Sequence, residues 1–348
     1  MDGAGDSLDA LVAAAAQALG HLTVVRGLSR GGRDRRPGRE VGNPHTSEGY
    51  LQVPDGRVWY SIAGLGRAKT PLLCLHGGPG MPHDYLESLA DLSDERPVIF
   101  YDQLGCGRSP APSEERTWTM QRFIDELVSV REGLGLDEVV LFGNSWGGTL
   151  ALVYTLDHAP GLKGLILSSA LVSASRWVED AQKLRAALPA AVQEVLATHE
   201  QGGFFGCPEY QGAAAEFYRR HLCRLSPWPT SIERTFAGMG GDVYLAMWGP
   251  SEFGPVTGEL ASLELVDRLG EIRVPTLVTG GRFDEATPEQ MQMLSAAIDG
   301  AELAIFESSS HTAFVEERTA YISRLREFLA RIDESTTSPI EPGSLAAG

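Results

Sequence analysis

Apolar and polar residues follow two rhythms along this chain. Residues 50–53 and 58–62 alternate with a period of two around Pro54, Asp55 and Gly56, which predicts a β-hairpin. Residues 72–75 (Leu-Leu-Cys-Leu) and 98–101 (Val-Ile-Phe-Tyr) are short, wholly apolar runs that end in glycine-rich loops. Such runs suit strands buried on both faces of a parallel sheet. Residues 117–134 change to helical spacing, with Met120, Phe123, Ile124, Leu127 and Val130 on one side. Strands follow at 139–142 and 162–168.

Strand–helix alternation then breaks. From 173 to 262 the spacing is helical and irregular, with helices expected at 177–188, 190–199 and 213–225 and a Trp/Gly/Pro-rich stretch around Trp248. It resumes with a strand at 274–279, a helix at 288–298, a strand at 301–306 and a last helix at 316–332. This order predicts an α/β fold, with a mostly parallel central sheet and helices on both faces. Residues 46–172 and 263–334 form that core, and 173–262 form an inserted helical cap. Residues 1–45 read as an N-terminal extension, with a short amphipathic helix at 8–19 and a basic Gly/Pro-rich linker at 31–39. Residues 335–348, rich in Ser, Thr, Pro and Gly, read as a disordered tail.

Composition narrows the class. The chain has 348 residues, 43% hydrophobic and 22% charged, the balance of a soluble globular protein. Its net charge of −17 repels nucleic acid and anionic lipid, so neither is expected as a partner. The apolar run at 8–19 follows Asp2 and Asp6 and no Lys or Arg, and it is too short to span a bilayer. Neither a secretory signal nor a membrane anchor is expected. Cys74, Cys106, Cys207 and Cys223 form no C-x-x-C pair, and no histidine cluster has metal spacing. No metal or cofactor is expected, and a cytoplasmic protein with reduced thiols is the simplest account.

The chemistry centres on Ser145. Gly143-Asn144-Ser145-Trp146-Gly147 follows the apolar run 139–142 and precedes a helical pattern. G-x-S-x-G between a strand and a helix is the nucleophile elbow of α/β-hydrolases. A serine hydroxyl is a weak nucleophile near neutral pH and needs a base held by a carboxylate, in the chain order Ser, acid, His. The histidines after Ser145 are His158, His199, His221 and His311. Only His311 follows the last expected strand, in the loop Glu-Ser-Ser-Ser-His. Asp284, after the strand at 274–279, is the expected acid, with Glu285 a possible substitute. The oxyanion needs two N–H donors. Trp146 supplies one, and the loop His76-Gly77-Gly78-Pro79-Gly80 supplies the other, with Gly78 the first choice and Gly77 the second.

HGGPG, the run Tyr101-Asp102-Gln103-Leu104-Gly105-Cys106-Gly107-Arg108-Ser109, the GNSWGG elbow, GRFDEATP and the SSSH segment together resemble the proline iminopeptidase family of α/β-hydrolases. The resemblance covers roughly residues 47–332. Pro208-Glu209-Tyr210-Gln211 and Gly249-Pro250-Ser251-Glu252-Phe253 look especially like the tricorn-interacting aminopeptidase and L-amino acid amidase branch. The resemblance implies a Ser–Asp–His triad, no metal, and release of an N-terminal residue from peptides or amides. It also implies that Glu252 and Glu285 bind the substrate's free amine, with Glu209 a weaker candidate. An α-amino group is mostly cationic near neutral pH and seeks carboxylates inside a cleft. The chain departs from the family in its first 45 or so residues and in Asn144, where the family often has Gly or Ser.

These residues predict a serine aminopeptidase acting through an acyl-enzyme on short peptides or amino acid amides. Two alternatives use the same fold. One is a hydrolase for another amide, ester or lactone, such as a tailoring enzyme for a peptide metabolite. The other is a binding module that keeps the fold without catalysis. Arg282, Phe283 and Trp146 are candidate pocket residues.

Overall fold

The computed structural model describes residues 46–112, 118–158, 160–252 and 254–337. The N-terminal alternation forms a hairpin in which β1 (Thr46–Val53) pairs antiparallel with β2 (Gly56–Ala63). The apolar runs become β3 (Leu72–Leu75) and β4 (Val98–Tyr101), both buried along their whole length. Four more strands, β5 (Val139–Asn144), β6 (Leu162–Ser168), β7 (Thr276–Gly281) and β8 (Glu302–Phe306), complete an eight-stranded sheet. Its order is β1-β2-β4-β3-β5-β6-β7-β8, with β1 and β2 antiparallel additions and the rest parallel.

The period-two geometry of a strand divides the core between the two faces. Leu73 and Leu75 enter one apolar cluster, and Leu72 and Cys74 the other. On the second face lie α1 (His83–Asp94, wound in 3₁₀ turns) and the C-terminal helix. On the first lie α2 (Met120–Gly133) and α3 (Trp146–His158). Thr119 caps α2, its side chain accepting the N–H of Arg122.

Between β6 and β7 the chain runs through α4 (Ala174–Ala186), α5 (Ala190–Gly202), α6 (Pro208–His221), α7 (Thr230–Ala237) and α8 (Gly241–Met247). α5 and α6 share a small core of their own, built on Val192, Leu196, Ala213 and Phe217. The helix expected at 213–225 begins earlier and ends earlier. Cys207 caps its first turn and Pro208 presets the backbone at its start. At its end the N–H groups of Leu222 and Cys223 both turn back to Tyr218 O. After β7 come α9 (Pro288–Ala297), α10 (Ala313–Glu316) and α11 (Arg318–Thr337). The last helix therefore breaks at Glu317 and continues into the stretch expected to be a disordered tail. The expected helix at 8–19 and the rest of the tail lie outside the described residues.

The strand order places the functional loops. β3 lies between β4 and β5, so the connections leaving β3 and β5 diverge at their carboxyl ends. A parallel sheet binds ligands at such a switch point. Leu75 is in register with Gly143, which sets the loop that starts at His76 beside the turn at Ser145. The approach is close enough to need glycine. A Cβ on Gly147 would lie 2.1 Å from Leu75 O, and one on Gly143 would lie 2.2 Å from Gly147 O. Gly147→Ala must push the elbow away from β3, so we expect a loss of about 1–3 kcal/mol of stability. A denaturant midpoint unchanged from the wild type would show that the turn tolerates a side chain.

Candidate active site

Ser145 sits at the end of β5 with φ of 54°, a left-handed conformation unusual for a residue with a side chain. Its N–H donates to Ser168 O at 2.9 Å, which ties the turn to β6. Such local strain persists only where the surroundings hold it. Here the two flanking glycines and the N-terminal turn of α3 do so.

Asp284 and His311 meet although they come from different loops. His311 Nδ1 lies 2.8 Å from Asp284 Oδ1. The two oxygens of Asp284 also accept from Ala286 N at 2.8 Å, Ser169 Oγ at 2.6 Å and Gly281 N at 3.3 Å. Ser169, itself at φ 52°, was not legible as a site residue from the sequence. The serine run before His311 is pinned by the residues that follow it. Glu316 Oε1 accepts Ser310 N at 3.0 Å, and Glu317 Oε2 accepts Ser308 N at 2.9 Å and Ser309 Oγ at 2.6 Å. The insertion holds both loops as well. His221 O, at the end of α6, accepts Glu285 N at 3.3 Å and His311 N at 3.2 Å. His221 therefore serves the site through its backbone rather than as a base.

Ser145, His311, Gly77, Gly78, Glu252 and Glu285 line one cavity of about 70 Å³. Gly77 drops out as an oxyanion donor, because its N–H is given to Tyr85 Oη at 2.7 Å. Tyr85 in turn donates to Asn144 Oδ1 at 2.8 Å, and Asn144 Nδ2 donates to Ser168 O at 3.2 Å. Asn144 thus braces the loop after β3. Among the described residues no hydrogen bond uses the N–H of Gly78. Trp146 opens α3, and the first N–H groups of a helix have no partner within it.

Two glutamates share the cavity. Glu252 accepts from Trp177 Nε1 at 3.2 Å and from the hydroxyl of Tyr244. Glu285 Oε1 lies 3.8 Å from His311 Nδ1, and Glu285 Oε2 is buried without a partner. Burial pushes the carboxyl of Glu252 up. Burial, and then the charge of Glu252, push that of Glu285 well up. Burial alone would lower His311, but Asp284, Glu285 and Glu252 outweigh it and raise the imidazole to about 9. Trp177 and Tyr244 were missed because nothing in their spacing marks an aromatic residue as a carboxylate partner.

Four of the candidate residues do not line the cavity. Glu209 is exposed in the first turn of α6 and does not reach the cavity. Arg282 points outward to Glu307, and Phe283 lies under the guanidinium of Arg224 at 3.8 Å. The Trp146 side chain is buried beneath the loop rather than lining the cavity.

Comparison with known proteins agrees with this geometry. A family profile described as the alpha/beta hydrolase fold matches residues 70–318. A proline iminopeptidase of Heyndrickxia coagulans is 39% identical over 287 residues, covering 82% of this chain and 99% of that protein. Among solved structures, VinJ superposes with a TM-score of 0.79 at 38% identity, covering 83% of this chain and all (100%) of that one. The proline iminopeptidase of Mycobacterium smegmatis does so with a TM-score of 0.77 at 36% identity, over 83% of this chain and 100% of that one. The chain belongs to the α/β-hydrolases and, within them, to the proline iminopeptidase family of serine aminopeptidases.

Proposed function

We propose that this enzyme releases a small N-terminal residue, proline or another small apolar amino acid, from short peptides or amino acid amides. Ser145 Oγ attacks the carbonyl carbon of the first residue. His311 takes the serine proton, and Asp284 holds the imidazole in the tautomer that leaves the other nitrogen free to accept it. The N–H groups of Gly78 and Trp146 receive the developing oxyanion. His311 then gives the proton to the leaving amine. Water, deprotonated by the same histidine, releases the amino acid from the serine ester. The helical insertion serves as the cap over this site.

The observation that carries the substrate class is the buried, unpartnered Oε2 of Glu285 beside Glu252, in the cavity that Ser145 faces. Two buried carboxylates repel each other, and a cation between them removes that cost. The substrate's ammonium is such a cation. The cavity of about 70 Å³ supports a small first residue. An adjoining chamber of about 340 Å³, which shares Glu252 and Tyr244 with this cavity and is also lined by Tyr210, Tyr218, Phe236 and Met239, favours a second reading. There the same chemistry acts on the aminoacyl amide or ester of a larger apolar molecule. The free thiols of Cys74, Cys106, Cys207 and Cys223 suit a reducing compartment such as the cytoplasm. Among the described residues no helix is long and apolar enough to cross a membrane. The net charge of −17 speaks against nucleic acid as a partner.

A panel of aminoacyl arylamides tests the reading. Ser145→Ala should lower kcat by at least about 10⁴-fold; turnover surviving that change would end the assignment. Glu285→Gln should raise KM for prolyl or alanyl arylamide by about 10–100-fold, because a buried charge partner is lost. Hydrolysis of p-nitrophenyl acetate, which has no amine, should not show that KM penalty. The pH profile has a definite sign. Catalysis needs neutral His311, so activity rises as pH climbs through the imidazole pKa. Carboxylates hold that value up near 9 in the free enzyme. The rising limb of kcat/KM for p-nitrophenyl acetate should therefore move to lower pH in Glu285→Gln. A limb that stays in place would show that Glu285 does not act on His311.

A further inference from the structure

The run from Asp102 to Ser109 follows β4 and contributes no lining to the catalytic cavity, yet it holds a buried amide that bonds two other segments. Gln103 is fully buried. Its Nε2 donates to His76 O at 3.1 Å, and its Oε1 accepts from Trp146 Nε1 at 2.9 Å. Its backbone N–H donates to His76 Nε2 at 2.9 Å. That bond fixes the tautomer of His76. With Nε2 accepting, the ring proton lies on Nδ1 and points to Gly77 O at 3.1 Å. Burial keeps this imidazole neutral, lowering it to about 4.

One side chain thus touches both the loop that carries the first proposed oxyanion donor and the residue that carries the second. His76 is two residues before Gly78, and Trp146 carries the other donor itself. Gly78 lies in the loop after β3 and Trp146 opens α3 after β5. The platform is itself anchored. Leu104 N donates to Glu126 Oε2 at 3.0 Å, and Asp102 accepts from His83 N at 3.0 Å and Arg108 N at 2.9 Å.

We propose that Gln103 is a positioning residue that sets the span of the oxyanion hole, by bridging the loop of Gly78 to the indole of Trp146. This rests on the reading of Ser145 as the nucleophile and of Gly78 and Trp146 as donors. An oxyanion hole stabilises charge only if its donors are already spaced for the tetrahedral oxygen. A misplacement on the order of 1 Å is worth about 100-fold in rate. A clamp of this kind acts on the transition state and leaves ground-state binding of the substrate amine to Glu252 and Glu285 unaltered.

The test compares wild type with Gln103→Met, which keeps side-chain length and removes both amide hydrogen bonds, and with Trp146→Phe, which removes only the indole donor. Three quantities are read for each: kcat and KM on an aminoacyl arylamide, inhibition by the matching aminoboronic acid, and inhibition by the product amino acid. The boronate forms a tetrahedral adduct on Ser145 and places an oxygen in the hole, whereas the product amino acid reports the amine site. Both variants should lose about 10–100-fold in kcat and in boronate affinity together, with KM and product inhibition within about twofold of wild type. The double variant should lose no more than the larger single loss, because both changes break one bridge. If Gln103→Met does not fold, Trp146→Phe alone decides the matter. Boronate affinity unchanged in a folded variant would overturn the role of Gln103, as would product affinity falling as far as boronate affinity. A wild type that the boronate does not inhibit would overturn the reading of Ser145 itself, and the clamp with it.

Discussion

The contact on which the rest of the structure depends is the approach of the elbow to the end of β3. Gly147 packs so closely on Leu75 O that no side chain fits between them. That contact brings the loop carrying Gly78 beside Ser145 and lets α3 start within one residue of the serine. The strained φ of Ser145 is the local cost of the arrangement, and the hydrogen bond from its N–H to Ser168 O helps to hold it. Everything chemical is then arranged around a fixed point.

Around that point the polar groups form two kinds of network. One is saturated. Asp284 accepts four hydrogen bonds, and Tyr85, Asn144, Gln103 and His76 tie the glycine loop to the elbow. Saturated networks of buried groups are rigid, which suits a site whose donors must be in place before the reaction begins. The other is left incomplete. Glu285 keeps one oxygen unpaired, next to Glu252 and near His311. A buried carboxylate without a partner is unfavourable by itself and is resolved by a cation entering the cavity. In the proposed reading, the rigid network faces the substrate carbonyl and the unmet charge faces its amine.

The insertion bonds directly to the loops of the site. The end of α6 offers His221 O to the backbone of both Glu285 and His311, and Thr312 Oγ1 donates to Leu222 O at 3.1 Å. Thr235 Oγ1, on α7, accepts the N–H of Tyr85 at 2.9 Å. The insertion between β6 and β7 therefore holds the acid loop, the base loop and the tyrosine under the glycine loop, and its loop after α8 supplies Glu252.

Much of this was legible in the chain itself, because the signals concerned are local. Short apolar runs ending in glycine mark buried parallel strands, and a serine between two glycines at a strand end marks a turn with few alternatives. Ser145, Asp284 and His311 could be named from their order and their loops alone. Contacts between distant segments could not. That Ser169 serves Asp284, that Tyr85 takes the Gly77 N–H, that Glu316 and Glu317 pin the serine run and that Gln103 spans two loops depend on which strands lie side by side. The helix at 83–94 and the early start of α6 escaped for a related reason: 3₁₀ winding does not follow the helical period, and a cysteine cap is not a usual start signal. The sequence by itself determined the fold and singled out Ser145, Asp284 and His311 as candidates, since backbone conformation and hydrophobic period are properties of neighbouring residues. Only the tertiary structure decided which N–H groups stay free and which carboxylate stays unpaired, since those depend on every group that could have satisfied them.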